Sequence, residues 1–369
     1  MRIIIAGGGT GGHLFPGIAI AQKFVSKNPE TGILFVGAGN SFEKTTVAKA
    51  GFNHKRITVE GIKGRGITKQ LISAFKIPKG MFESLTILKS FKPNLVFGVG
   101  SYSSGPIIFM AWLLGIKIAL HEQNILPGIT NRMLSRFADR IYISFEKTIK
   151  LAQAKKIIFS GNPLRKEITD IAKKNIADYG HNKSTFNILI IGGSQGAHSI
   201  NMAIIEALSY IKNKESLFFV HQTGSLDEET VAKAYEQNKT NGDVKPFFDD
   251  MAIKYSQADL IICRAGATTV AEITVIGRGA IYIPYPYAAN DHQTQNAQAL
   301  CDAGAAEMIA EKDLSGKILA EKIEYFSENP KELYKMATLS KTFGMPDAAA
   351  VIVNDCYQML DPNGGNKHV

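Results

Sequence analysis

Cysteine occurs three times and tryptophan once in 369 residues. Cys263, Cys301 and Cys356 stand far apart, with no CxxC pair and no His/Cys ligand spacing. Neither a disulfide framework nor a zinc site is therefore supported, and a reducing cytoplasm is the expected compartment. Long apolar runs are also missing. The longest spans 107–116 and ends at Lys117, about half of the ~20 residues a membrane-crossing helix needs. Met1-Arg2 runs directly into an apolar strand, so no secretory signal is expected there. Acidic residues are in deficit, 33 against 42 basic, giving a formal charge of +9. Such an excess favours nucleic acid, acidic lipid or a phosphorylated substrate as partner, and is equally met in soluble proteins with a plain basic surface.

What is present is the composition of a globular protein, 45% hydrophobic and 20% charged, long enough for two domains. Two glycine-rich turns stand out. Gly7-Gly8-Gly9-Thr10-Gly11-Gly12-His13 follows the apolar run Ile3-Ile4-Ile5-Ala6. Gly192-Gly193-Ser194-Gln195-Gly196-Ala197 follows Ile188-Leu189-Ile190-Ile191. A strand that turns on glycines into a helix aims unpaired N–H groups at an open crevice, which suits phosphate or another anion. One such turn in each half suggests two similar domains facing each other across a cleft. Apolar runs alternate with amphipathic ones throughout. Strands are predicted at 2–6, 33–36, 95–98, 116–120 and 140–144, then at 187–191, 217–222, 260–263 and 280–284. Helices are predicted at 17–26, 42–50, 106–115 and 128–137, then at 198–211, 268–277 and 294–303. This rhythm reads as parallel βα units. Asn162-Pro163 breaks the chain between the halves, and a last helix is predicted at 347–360 with Asp347 as N-cap.

Hydride transfer fits poorly. Gly7, Gly9 and Gly12 formally match G-x-G-x-x-G, but that fingerprint also needs a carboxylate at the end of the second strand to hold a ribose. Here that strand ends Val36-Gly37-Ala38-Gly39, with no carboxylate before Glu43. The second turn lacks the spacing, and neither turn carries a Walker lysine.

Eight segments then occur in order: GGGTGGH (7–13), GSYSSGP (100–106), HEQN (121–124), GNPLR (161–165), GGSQGA (192–197), FFDDM (247–251), RAGATTVAE (264–272) and DHQTQNA (291–297). On these the chain resembles the MurG family of peptidoglycan glycosyltransferases. The resemblance implies an α/β fold of GT-B architecture, two Rossmann-like parallel-sheet domains facing across a cleft. It implies an acceptor and membrane-associating domain over 1–162, a UDP-GlcNAc-binding domain over 163–341, and a terminal segment over 342–369 returning to the first domain. The implied reaction moves GlcNAc from UDP-N-acetylglucosamine to the lipid-linked muramoyl-pentapeptide, lipid I, with inversion and departure of UDP. No metal, no cofactor and no nucleic acid is implied. The implied partners are the two substrates, the anionic inner leaflet of the bacterial cell membrane at its cytoplasmic face, and other cell-wall synthesis proteins.

Site residues follow from the same motifs. Glu272 is implied to accept hydrogen bonds from both ribose hydroxyls, as a carboxylate can, with Thr268 and Thr269 against the nucleotide. Thr269-x-x-Glu272 is also a capping box, which alone would place a Glu there. Ser194 is implied at the diphosphate, Arg165 at uracil or phosphate, and Phe248 at the uracil edge through its backbone. Gln293 and Asn124 are implied to read the sugar. Asp249-Asp250 reads as helix capping rather than a metal site. Thr10, Gly11 and Gly12 are implied to line the acceptor floor, and His13 is the candidate base, since a near-neutral imidazole can take a hydroxyl proton; phosphate binding or capping are its other readings. Glu122 and Tyr102 are further candidates. Finally, residues 61–82 carry Lys63, Arg65, Lys69, Lys76 and Lys79 among apolar side chains, with no acidic residue. That pattern suits either an anionic membrane surface or a segment packed on its own domain. A UDP-GlcNAc 2-epimerase of the same architecture and a non-catalytic nucleotide-sugar-binding partner are the competing readings.

Overall fold

The computed structural model describes residues 1–59, 67–148, 157–174, 185–193 and 196–361, with backbone alone over 67–76. The chain forms two compact units, Met1–Arg165 with Pro346–Val369, and Lys166–Met345.

In the first unit the elements run β1 (Arg2–Ala6), α1 (Gly11–Lys27), β2 (Gly32–Gly37), α2 (Ser41–Lys49), β3 (Asn53–Arg56), α3 (Ile67–Phe91), β4 (Leu95–Gly98), α4 (Gly105–Leu113), β5 (Lys117–Glu122), α5 (Ile129–Leu134), β6 (Arg140–Ile143) and β7 (Ile157–Phe159). The sheet order is β3-β2-β1-β4-β5-β6-β7, and all its paired strands are parallel. Successive side chains of a strand point to opposite faces, so a strand covered on both sides must be apolar throughout. β1 does this: Ile3 and Ile5 enter one layer with Leu14, Phe24 and Phe97, while Ile4 and Ala6 enter the other with Val96, Ile107 and Leu120.

The second unit holds α6 (Lys166–Lys174), β8 (Phe186–Ile191), α7 (His198–Tyr210), β9 (Leu217–Gln222), α8 (Glu228–Gln237), β10 (Gly242–Lys245), α9 (Met251–Gln257), β11 (Leu260–Cys263), α10 (Ala267–Ile276), β12 (Gly279–Tyr282), α11 (His292–Cys301), β13 (Glu307–Met308), α12 (Gly316–Glu328) and α13 (Pro330–Thr342). Its parallel sheet is ordered β10-β9-β8-β11-β12-β13. Counted from its own first strand, each unit begins 3-2-1-4-5-6, the doubly wound order. Each glycine turn therefore follows strand 1, at the point where strand order reverses and such sheets bind ligands.

The last helix, α14 (Ala348–Leu360), belongs to the first unit. Ile352, Val353, Cys356 and Met359 are buried in the layer that holds Ile3 and Phe24, and each such side chain contributes about 1.5–3 kcal/mol by leaving water. Polar anchors set its register. The Asp355 carboxylate accepts from Arg140 Nε and from the buried Tyr142 hydroxyl, both at 2.9 Å, and Lys27 donates to Asn354 at 2.6 Å.

All four edge strands, β3, β7, β10 and β13, are absent from the strands predicted by sequence. An edge strand is not buried on both sides, so Asn53-His54-Lys55-Arg56 and Gly242-Asp243-Val244-Lys245 carry no apolar run. The long α3, with Pro78 inside it, is also not among the predicted helices.

Replacing Asp355 by Ala leaves Arg140 and Tyr142 without their shared acceptor. The expected cost is about 2–3 kcal/mol, read as a lower denaturant midpoint with an unchanged slope.

Candidate functional site

In the first unit the turn after β1 passes against the turn after β4. Gly7, Gly8 and Gly9 all have positive φ, and a Cβ on Gly7 would collide with the Gly100 carbonyl. Only glycine combines that backbone angle with that approach. Thr10 is the N-cap of α1 and is exposed, Gly11 and Gly12 begin the helix, and His13 lies in its first turn. The half-buried His13 ring points Nδ1 at two oxygens, the Val99 carbonyl at 3.0 Å and Gln123 Oε1 at 3.2 Å. Gln123 donates its own amide to the same carbonyl at 2.8 Å, which fixes its oxygen toward the histidine. Two acceptors facing Nδ1 place the proton there. The lone pair of the neutral ring is then on Nε2, the arrangement a base requires.

His121, next to this network, is fully buried, with Nε2 at 3.2 Å from the Gly161 carbonyl. Burial pushes its pKa down to about 4, and the charge of His13 acts in the same direction. Glu122 is also buried, and its carboxylate accepts from Asn124 N, Asn124 Nδ2, Gly128 N and Asn131 Nδ2 at 2.8–3.3 Å. It organises the loop that carries Asn124. Tyr102 is about half exposed beside Ser101, which has positive φ. Arg165 stacks on the Phe15 ring of α1, 4.7 Å from its centroid.

The carboxylate that a dinucleotide site needs at the end of β2 is missing, yet one does reach the turn. Glu43 of α2 is fully buried, lies against Gly8, accepts from Gly39 N at 2.6 Å and is 3.5 Å from His54 Nε2. Burial opposes its charge, but the His54 ring and the Gly39 and Gly9 N–H groups outweigh that and hold its pKa below the ordinary value. Sealed beneath the turn, it supports the backbone and cannot hold a ribose.

In the second unit Ser194 falls outside the described residues, between Gly193 and Gly196, both with positive φ. Across the switch point α10 begins. Its N-cap is Gly266 and Ala267 is its first residue, so Thr269 is not at the capping position and the capping-box reading of Thr269-x-x-Glu272 fails. Glu272 is instead a buried carboxylate one turn further on, accepting from the Tyr255 hydroxyl at 3.1 Å. Thr268 is buried and Thr269 half-buried on the same first turn. Phe248 is buried, with Lys254 over its ring, and its backbone N–H is given to Gln222 Oε1 at 3.0 Å. Of its two backbone groups only the carbonyl can then meet a uracil edge. Gln293 is likewise half committed, its Oε1 accepting from Tyr285 N at 2.9 Å. Asp250 stands at the N-cap of α9 without a side-chain capping bond and pairs with Lys254. Among the described residues no cluster of three His, Cys, Asp or Glu side chains could hold a metal ion.

The basic stretch is described only in part. Lys63 and Arg65 fall outside the described residues, as do the side chains of Lys69 and Lys76; Lys79, Ile77 and Phe82 are exposed. No described helix is long and apolar enough to cross a membrane. Sequence reasoning missed Gln123, Tyr255, Phe15 and Gln222. Gln123 sits inside the quoted segment HEQN, where adjacency to Asn124 was the available signal, whereas Phe15 lies two residues beyond GGGTGGH.

Two doubly wound units, each with a glycine turn at its switch point, make up the GT-B fold. Residues 3–143 match the glycosyltransferase family 28 N-terminal domain and residues 187–352 its C-terminal domain. A UDP-N-acetylglucosamine--N-acetylmuramyl-(pentapeptide) pyrophosphoryl-undecaprenol N-acetylglucosamine transferase of Syntrophus aciditrophicus is 47% identical, covering 98% of this chain and 99% of its own. Its namesake in Myxococcus xanthus is 42% identical over 99% and 95%. The crystal structure of Acinetobacter baumannii MurG superposes with a TM-score of 0.76 at 31% identity, covering 97% and 99%. The chain belongs to the MurG family of N-acetylglucosaminyltransferases. A UDP-GlcNAc 2-epimerase from Neisseria meningitidis has a TM-score of 0.69 at 12% identity over 97% and 100%, a likeness of fold alone.

Burial generates a pH prediction. His221 is also fully buried, and its pKa is pushed down to about 3 from an ordinary 6.5. His121 and His221 stay neutral when folded but gain protons near pH 6.5 when unfolded. Their contribution is complete above that pH and is lost as pH falls toward 4, because only the unfolded chain takes up the protons. The denaturant midpoint should fall over that range, and fall less steeply for His221→Gln.

Proposed function

We propose that this protein transfers N-acetylglucosamine from UDP-N-acetylglucosamine to the C4 hydroxyl of the muramoyl sugar of undecaprenyl-pyrophosphoryl-MurNAc-pentapeptide, lipid I, giving lipid II. The observation that carries this reading is 47% identity to a transferase of that name across 98% of the chain. An epimerase has only the fold in common at 12% identity, and a non-catalytic binding partner has no comparable support.

The chemistry requires removal of a proton from the attacking hydroxyl and stabilisation of the departing diphosphate. His13 is assigned as base, supported by the Val99 carbonyl and Gln123 Oε1 that place its proton on Nδ1. Thr10, Gly11 and Gly12 are assigned to the acceptor, where small residues let a sugar approach the backbone. The ribose is assigned to Glu272, the uracil edge to the Phe248 carbonyl, the nucleotide to Thr268 and Thr269, the diphosphate to Ser194 and its turn, and the sugar to Gln293 and Asn124. Arg165 supplies positive charge to the donor. A helix N-terminus and preset N–H groups stabilise developing negative charge without rearranging. The basic apolar stretch that ends in the exposed Lys79 and Phe82 is assigned to the anionic inner leaflet, where the lipid-linked acceptor resides.

Incubation with UDP-GlcNAc and a lipid I analogue should release UDP only when the acceptor is present; release without acceptor, or none, would overturn the reading. His13→Ala should lower kcat by about 100-fold or more while UDP binding persists. Glu272→Ala should raise the donor KM by about tenfold or more. Replacing Lys69, Lys76 and Lys79 by Glu should weaken binding to anionic vesicles, and unchanged binding would remove the membrane assignment.

A further inference from the structure

We infer that Gln222 is a positioning residue for the nucleotide, a strut that holds the diphosphate turn and the uracil-facing segment in one fixed relation. The inference rests on the UDP-sugar reading of the second unit.

Sheet order puts Gln222 where only one residue can stand. β9 lies between β8 and β10, all three parallel, so their carboxyl ends are side by side. The glycine turn follows β8, the segment 246–248 follows β10, and Gln222 is the last residue of β9. Its Nε2 donates to the Gly193 carbonyl at 3.1 Å, and its Oε1 accepts from Phe248 N at 3.0 Å. The two partners leave the amide no choice of orientation, since a carbonyl only accepts and an N–H only donates. The side chain is 2% exposed, so water does not compete for either bond.

The surroundings make the strut stiff. Thr223 N donates to the Lys245 carbonyl and Gly224 N to the Pro246 carbonyl, at 3.0 and 3.1 Å. The Thr223 carbonyl accepts from Asn201 Nδ2 at 2.9 Å, and a Cβ on Gly196 would collide with that same carbonyl. Asn201 Oδ1 in turn accepts from Nε2 of the buried His221 ring at 3.0 Å, and its Nδ2 donates to Asp227 at 2.8 Å. The end of β9 is thus clamped between the two nucleotide segments. Glutamine alone among the standard side chains of this length offers one acceptor and one donor on a planar head. Glu keeps the acceptor for Phe248 and loses the donor to Gly193. Met keeps the length and loses both.

Calorimetric titration of UDP and of uridine into the full-length protein, Gln222→Glu and Gln222→Met separates the two arms. Gln222→Glu should bind UDP about tenfold more weakly, as expected for one lost buried hydrogen bond, with uridine affinity within about twofold of the unaltered protein. Gln222→Met should weaken both ligands. In turnover, the donor KM should rise for both variants while the acceptor KM and kcat at saturating donor stay within about threefold. Should Gln222→Met fail to fold, the UDP-against-uridine comparison in Gln222→Glu decides alone. UDP affinity unchanged in Gln222→Glu, or a loss in kcat at constant donor KM, would overturn the strut. Failure of the unaltered protein to bind either ligand would instead remove the UDP-sugar reading and the strut with it.

Discussion

The close approach of backbone to backbone at the carboxyl ends of the parallel strands is the constraint on which both candidate sites depend. In the first unit Gly7 lies against the Gly100 carbonyl, and in the second Gly196 lies against the Thr223 carbonyl, with no room for a Cβ at either. Parallel strands bring these ends together, and the reversal of strand order opens space between them. Everything chemical in either unit, from the orientation of His13 to the anchoring of Gln222, is hung on backbone groups that this packing fixes.

The same device is used for different ends. Beneath the first turn sits the buried carboxylate of Glu43, paired with His54, and beside it a histidine with its proton directed inward by Val99 and Gln123. Beside the second turn there is instead the start of α10, capped by a glycine without a side-chain acceptor, followed by the Glu272 carboxylate held by Tyr255. The units are alike in topology and divergent in the side chains that neighbouring helices set around the turn.

Much of this was legible in the sequence. The central strands carry uninterrupted apolar runs because both of their faces are covered, so β1, β4, β9 and β11 have the bounds expected of them. Edge strands escape detection because one side needs no apolar cover. The motifs located Glu272 on the helix expected of it, while His13 and Gln293 fall inside α1 and α11 rather than ahead of them, and the partners of all three were not located. Gln222 and Tyr255 lie 29 and 17 residues from the groups they hold, and no local pattern encodes a contact across neighbouring strands. The capping-box alternative for Glu272 failed because α10 starts at Ala267, before Thr269; a helix start three residues earlier than a Thr269 cap requires reverses the meaning of the carboxylate.

The return of α14 to the first unit has a consequence for how the chain is made. The first unit's core contains Ile352, Val353, Cys356 and Met359, whereas Lys166–Met345 is one continuous stretch. During synthesis the earlier unit must wait, with an uncovered apolar layer, while the later one is translated and can already close. At ordinary elongation rates of about 5–20 residues per second that interval is roughly 10–40 s. The portion of the protein born first is therefore completed last, and its exposed layer is a natural point for chaperone attention.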